Sequence, residues 1–198
     1  MANDTEEREW LVISVSTAGA AGSLRVQVWR KLRSLGAHYL QQSVCLLPAR
    51  SEVVREVRRL VDRVHHHGGT ARVLRMALTD PAEEQAVIAE FNTARDAEYA
   101  ELLERLPELR QELANEHARG NATYAEVEES EADLDRFRTW LAKISARDYF
   151  AAPGGQAARD AVDQAATELA AFEEAALHAE APEFNATGES TPRLRAVN

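Results

Sequence analysis

The sequence lacks the features that would give it a covalent framework or a place in a membrane. Cys45 is its only cysteine, so no disulfide can form within the chain and no zinc site can be built from several thiolates. Its apolar runs fall far short of the roughly 20 residues needed to cross a bilayer. The opening MANDTEEREW is acidic and has no apolar segment of the kind that directs secretion. We therefore expect a cytoplasmic protein with no membrane partner.

Catalytic and cofactor-binding motifs are also missing. The chain has no glycine-rich phosphate loop, no hydrolase triad order and no zinc signature. The consecutive His65, His66 and His67 end a predicted helix, where the dipole favours cations, and this structural interpretation outweighs metal binding. Cys45 lies in an apolar run, where cysteine usually acts as a small hydrophobic residue. We predict no catalytic residue, no metal and no cofactor.

What the sequence does contain is charge of opposite sign in its two halves. Residues 1–78 carry 12 Lys and Arg against 7 Asp and Glu, whereas residues 79–198 carry 11 against 26, within a net charge of −10. A basic front and an acidic rear indicate separate roles for the two halves, or attraction between lobes or between copies of the chain.

Short β-branched runs alternate with helical repeats in the front half. This pattern predicts the order strand, helix, strand, strand, helix, strand, which is typical of a ferredoxin-like βαββαβ fold with two helices on one face of an antiparallel sheet. We assign residues 9–78 to this α+β domain. The predicted strands cover residues 10–16, 37–41, 43–47 and 70–76, and the predicted helices cover residues 24–35 and 51–66.

From Asp80 the apolar spacing is helical almost to residue 179. Pro107 is predicted to interrupt the first of these helices. Two later apolar stripes joined by a turn predict an antiparallel helical hairpin, so we assign residues 79–179 to a long α-helical extension. Residues 180–198 contain proline, glycine and few apolar side chains, which predicts a disordered tail.

Basic residues on the two front helices form the strongest candidate binding surface. Arginine suits phosphates and other oxyanions because its planar fork donates two parallel hydrogen bonds. Arginines that face solvent without any ligand are an equally good interpretation. Trp29 widens the apolar face of the first helix and is assigned to the core with Leu32 and Leu35. The candidate DNA- or oxyanion-binding residues are Arg25, Arg30, Lys31, Arg33, Arg55 and Arg59.

Four stretches of the chain resemble the N-terminal domain of ChrB, a family of chromate-resistance regulatory proteins. They read WLVISVS, RVQVWRKLRSLGAHYLQQSVCLLP, FNTARDAEYAELL and KISARDYFAAP, within residues 9–178. The resemblance implies a chromate-responsive regulator of an efflux pump, with DNA and chromate or another oxyanion as partners. Family members continue into a second domain. If oxyanion sensing depends on that domain, we expect this chain to bind DNA or a partner without sensing chromate.

The front half is also similar to the ferredoxin-like CRISPR adaptation nuclease and to the C-terminal domain of the repressor PaaX. That nuclease binds metal through an aspartate at the end of its first strand. Here the corresponding residues are Ser14, Val15 and Ser16, so we expect hydrolysis to be lost while the dimerising fold remains. The resemblance therefore implies a homodimer.

Three functional hypotheses follow. The first is a transcriptional regulator of the chromate-resistance type that binds DNA or an oxyanion through the basic front helices. The second is a non-catalytic scaffold that dimerises or captures a partner through the helical extension. The third is an enzyme, either a nuclease or an oxyanion reductase, and it is the weakest because no base, nucleophile, metal set or redox motif is visible.

Overall fold

The computed structural model describes residues 8–20, 22–119 and 123–180. Within them, four strands and five helices follow the order β1 (Glu9–Ser16), α1 (Gly22–Ser34), β2 (His38–Gln41), β3 (Val44–Pro48), α2 (Ser51–His66), β4 (Thr70–Ala77), α3 (Pro81–Arg119), α4 (Tyr124–Ser145) and α5 (Gly154–Glu180). Of the tail predicted over residues 180–198, only Glu180 is described, as the last residue of α5. The rest of that tail lies outside the described residues.

The four strands form one antiparallel sheet in the order β2-β3-β1-β4. The central strand β1 pairs with β3 on one side and with β4 on the other, so Leu11 lies opposite both Leu47 and Arg75. This strand order, with one helix after β1 and one after β3, is that of the ferredoxin-like fold. The predicted α+β class is confirmed.

Helices α1 and α2 each bury one apolar row in the core of the sheet domain. Their buried residues recur every three or four positions, which places them on one side of each helix. The two rows are Leu24, Val28 and Leu32 on α1, and Val53, Val57, Leu60 and Val64 on α2. They share a cluster with Leu11 and Ile13 of β1, so the sheet and both helices close one core.

The three long helices pack on one another as a bundle. Helices α4 and α5 form the predicted antiparallel hairpin, and α3 contacts both of them. An ion pair joins α3 to α5, since Nε of Arg110 donates to a carboxylate oxygen of Glu168 over 2.7 Å. Within the described part of the chain, no helix is long and apolar enough to span a bilayer.

Helix α3 continues through Pro107, so the predicted interruption is wrong. A proline in a helix interior removes one backbone hydrogen bond and costs about 3 kcal/mol. Leucines are buried in the bundle core on both sides of the proline, at Leu102 and Leu106 before it and at Leu109 and Leu113 after it. Burial of these four side chains offsets the lost hydrogen bond and keeps the helix whole.

The sheet domain and the helical extension share apolar contacts at a seam that centres on Trp10. Trp10 is fully buried, with its ring centroid 5.8 Å from that of Phe91 on α3 and 5.6 Å from that of Phe150. Its indole Nε1 donates to a carboxylate oxygen of Glu84 over 3.0 Å. Because the core continues across residues 78 and 79, the division into domains 9–78 and 79–179 stays a prediction.

Candidate functional site

The outer face of α1 carries exposed arginines around an exposed tryptophan. Trp29 is 47% exposed, so its assignment to the core is wrong. The buried row of Leu24, Val28 and Leu32 is narrow, and position 29 lies about 100° away from the middle of that row at 3.6 residues per turn. The outer stripe is formed by Arg25, Val26, Trp29, Arg30 and Arg33.

Trp29 and Arg33 contact each other on this stripe. The guanidinium carbon of Arg33 lies 5.2 Å from the centroid of the Trp29 ring, within the range of a cation–π contact. Residues four positions apart on a helix lie one above the other, which explains how the pair forms. The indole therefore lies among positive charges at the surface.

Two of the six predicted binding residues form ion pairs with Glu56 on α2. Nζ of Lys31 on α1 lies 2.6 Å from one carboxylate oxygen of Glu56 on α2, and Nη1 of Arg59 lies 2.7 Å from the other. The hydrogen bond from Lys31 is the main reason that the pKa of Glu56 is lowered. The pair with Lys31 therefore joins α1 to α2, whereas the pair of Glu56 with Arg59 lies within α2, and both pairs neutralise part of the basic charge.

The other four predicted residues remain available. Arg25, Arg30, Arg33 and Arg55 are exposed, and none of them forms an ion pair with any described residue. Three of these four arginines lie on α1 and one lies on α2, which is joined to α1 by Glu56. Exposed guanidinium groups with unused donors on two adjoining helices match the needs of an extended polyanion.

The other reactive side chains are engaged in the fold. Cys45 is buried, and burial raises the pKa of its thiol to about 12, so little nucleophilic thiolate exists at neutral pH. In the histidine run, Nδ1 of His67 lies 2.8 Å from the carbonyl oxygen of Arg63, and Nε2 of His65 lies 3.3 Å from that of Ala71. Among the described residues, no group of three or more His, Cys, Asp or Glu is placed to hold a metal.

A cluster of charged side chains around the buried Arg95 lies at the end of α1. The sequence analysis did not predict this cluster. Arg95 on α3 is only 7% exposed, and burial lowers the pKa of its guanidinium. The carboxylate of Glu98 bridges Nη2 of Arg95 at 3.3 Å and Nη2 of Arg147 at 2.8 Å. Nearby, the hydroxyl of Tyr149 donates to the carbonyl oxygen of Leu35 over 2.7 Å.

The cluster lies against the turn that follows α1. A Cβ atom added at Gly36 would meet Nη1 of Arg95 at 2.7 Å and Cβ of Arg147 at 3.1 Å. The C-terminal end of a helix carries partial negative charge, which favours two guanidinium groups at this place. The only sequence signal was Gly36 itself, because a glycine that ends a helix also permits close approach of another segment.

Replacing Gly36 with alanine is expected to destabilise the fold. The φ angle of Gly36 is +69°, and a side chain in this left-handed region costs about 1–2 kcal/mol before any clash. Gly68 is the matched control, because its φ is +78° but nothing lies within 4 Å of an added Cβ atom. In urea denaturation, Gly36→Ala should lose more stability than Gly68→Ala. Equal losses would show that the approach of Arg95 and Arg147 is unimportant.

Comparison with known proteins places this geometry in a family. The family model described as "Protein ChrB, N-terminal" matches residues 25–183, which is more than half of the chain. The match begins within α1, includes β2, β3, α2 and β4, and continues through all three helices of the bundle. No curated protein matches the chain.

Proposed function

The chain belongs to the ChrB N-terminal family of chromate-resistance regulatory proteins, and we propose that it regulates by binding DNA in the cytoplasm. The observation that carries this proposal is the outer stripe of α1, on which three exposed arginines surround an exposed tryptophan. Arg55 adds a fourth exposed guanidinium on α2, the helix that Glu56 joins to α1. The main contacts are made to the phosphate backbone, where most of the electrostatic binding energy arises.

The predicted contact residues have unequal roles in this proposal. Arg25, Arg30 and Arg33 contact phosphates directly, because the described residues leave their donors free of ion pairs. Lys31 acts through Glu56, with which it joins α1 to α2, and Arg59 binds the same carboxylate from within α2. Trp29 supplies a flat apolar surface that packs against sugar or base.

An oxyanion such as chromate is the second ligand that the same arginines accept. A small dianion and a DNA phosphate both require paired N–H donors, so they compete for the outer stripe of α1. Chromate in the binding buffer should then weaken DNA binding more than an equal ionic strength of chloride does. If chromate and chloride weaken DNA binding equally, chromate does not bind at the outer stripe of α1.

Charge reversal on α1 tests the proposal. The triple variant Arg25→Glu, Arg30→Glu, Arg33→Glu is compared with the wild-type chain in an anisotropy titration against DNA from upstream of its own gene. Each phosphate contact contributes about −0.9 to the slope of log affinity against log salt. The slope should therefore become less steep by about 3, and affinity at low salt should fall by at least tenfold.

The matched control reverses the same number of charges on the extension. Arg119, Arg136 and Arg138 have exposed side chains on α3 and α4. Their triple change to glutamate alters the net charge equally and should lower affinity less, through long-range charge alone. The proposal fails if the wild-type chain does not bind at low salt, or if the two variants lose affinity equally.

A further inference from the structure

The two edges of the sheet differ in how they are protected. Strand β2 has four residues, and its pairing with β3 is irregular between Tyr39 and Gln41. Short strands and irregular pairing are two ways in which proteins keep a sheet edge from recruiting another chain. Strand β4 has eight residues in unbroken register with β1 and contains no proline. In the described residues no strand pairs with the outer side of β4. Apart from Ala71, whose backbone N–H and C=O contact Nε2 of His65, this edge presents free N–H and C=O groups.

The open edge at β4 is apolar as well as long. Leu74 is 63% exposed, and Val73 and Met76 are also exposed. Alternate residues of a strand point to opposite faces, so apolar side chains emerge on both faces of β4. The guanidinium of Arg75 points toward β1, where it lies 3.0 Å from the carboxylate of Glu9, so it protects the edge poorly against pairing.

A groove between β4 and α2 extends this apolar surface on the helix-covered face. Its volume is about 390 Å³. Its apolar wall includes Val54 and Val61 of α2, both only half-buried, and Val73 of β4. Arg58 and Asp62 also line the groove, one helical turn apart on α2, so that it carries one positive and one negative charge.

We propose that β4 pairs with β4 of a second copy of this chain, antiparallel and about a two-fold axis perpendicular to the sheet. The two sheets then form one continuous sheet of eight strands. Leu74 lies at the axis, opposite Leu74 of the second copy. The free backbone groups of each edge are satisfied by those of the other, and the half-buried valines of the two grooves come together.

A second copy fits this edge because the strand is complementary to itself. With Leu74 opposite itself, antiparallel pairing puts Arg72 opposite Met76 and Arg75 opposite Val73, so no arginine faces an arginine. The same axis runs the two α2 helices antiparallel across the junction. Arg58 of one copy then approaches Asp62 of the other, in two symmetric pairs of opposite charge. A heterologous extended peptide would satisfy the backbone without this symmetry.

The register also determines where the helices lie. Side chains alternate between the two faces of a strand, so a shift of one residue in register would turn one copy over. The helices of both copies therefore lie on one face of the joint sheet only when some residue of β4 lies opposite the same residue of the second copy. The outer stripes of both α1 helices then face the same side. Two equivalent surfaces related by a two-fold axis match the half-sites of a pseudo-palindromic DNA. The pairing of β4 is measured without DNA, so its failure would leave the proposed DNA binding untouched, and the reverse is also true.

Cysteine cross-linking tests the edge and its register. In a Cys45→Ala background, Leu74→Cys introduces one accessible thiol at the proposed axis. Directly opposite residues of an antiparallel pair have Cα atoms about 4.5–5.5 Å apart, which allows a disulfide. Mild oxidation of the full chain at micromolar concentration should give a covalent dimer on a non-reducing gel. The control is Leu40→Cys on the β2 edge, where the native side chain is 49% exposed, and it should give no covalent dimer on the same gel.

Sedimentation of the unmodified chain gives an independent measurement. The wild-type chain should sediment at twice its mass of 21.9 kDa at tens of micromolar, and Leu74→Lys should sediment as a monomer with unchanged circular dichroism. Lysine at an exposed edge position disturbs no buried contact, so folding is preserved. A monomeric wild-type chain, a dimer that survives Leu74→Lys, or equal cross-linking at positions 40 and 74 would each overturn the proposal.

Discussion

Replacing Trp10 with alanine is expected to lower the free energy of unfolding by about 3–5 kcal/mol, the range found when a large buried aromatic residue is truncated. Trp10 is fully buried in β1 between Phe91 and Phe150. The change also removes the indole donor of Glu84, which keeps only its ion pair with Arg8. Urea denaturation followed by circular dichroism measures the loss.

Trp29→Ala is the matched control for Trp10→Ala. The two substitutions remove the same atoms, but Trp29 is exposed on α1 and has no part in the core. We expect Trp29→Ala to change stability by less than about 1 kcal/mol, as is usual for surface positions. Equal losses from the two variants would contradict both the seam at Trp10 and the outward position of Trp29.

Glu98→Ala is expected to cost about 3 kcal/mol, because it leaves the buried guanidinium of Arg95 without the carboxylate that compensates its charge. Here a single carboxylate serves two guanidinium groups, those of Arg95 and Arg147. The loss should appear as a lower midpoint of urea denaturation.

Two further variants test the reason for that loss. Glu101→Ala removes a carboxylate from the same helix, but its pair with Arg105 is exposed, so the cost should stay below about 1 kcal/mol. The double variant Arg95→Met, Glu98→Leu removes a charge of each sign, and it should recover much of the stability lost in Glu98→Ala. If it is no more stable than Glu98→Ala, the unpaired charge is not the cause.

The fold could be predicted because the apolar periodicity switches clearly between two and 3.6 residues. The row of valines and leucines on α2 and the β-branched run of β1 identify helix and strand without any knowledge of tertiary contacts. Trp29 shows the limit of this reasoning, since spacing shows which side of a helix is apolar but not how wide the buried side is. Pro107 shows another limit, since burial on either side of a proline outweighs its local preference.

The candidate site was predicted only in part, because sequence shows where charges are but not what they contact. All six basic residues lie on α1 and α2 as expected, yet the position of Glu56 engages Lys31 and Arg59 and leaves the others free. Arg95 and Arg147 are 52 positions apart, and their union at Glu98 depends on how α3 packs against the α4–α5 turn. No local pattern contains that information.

The seam at Trp10 determines how this chain can be divided into fragments. A fragment that ends at residue 78 would bring Trp10 into contact with water and would lose the hydrogen bond from Tyr149 to Leu35, which supports the last turn of α1. The shortest fragment that preserves both contacts extends through Phe150, the residue that packs on Trp10. Truncations for spectroscopy or crystallisation should therefore be chosen beyond that residue rather than at the end of the sheet.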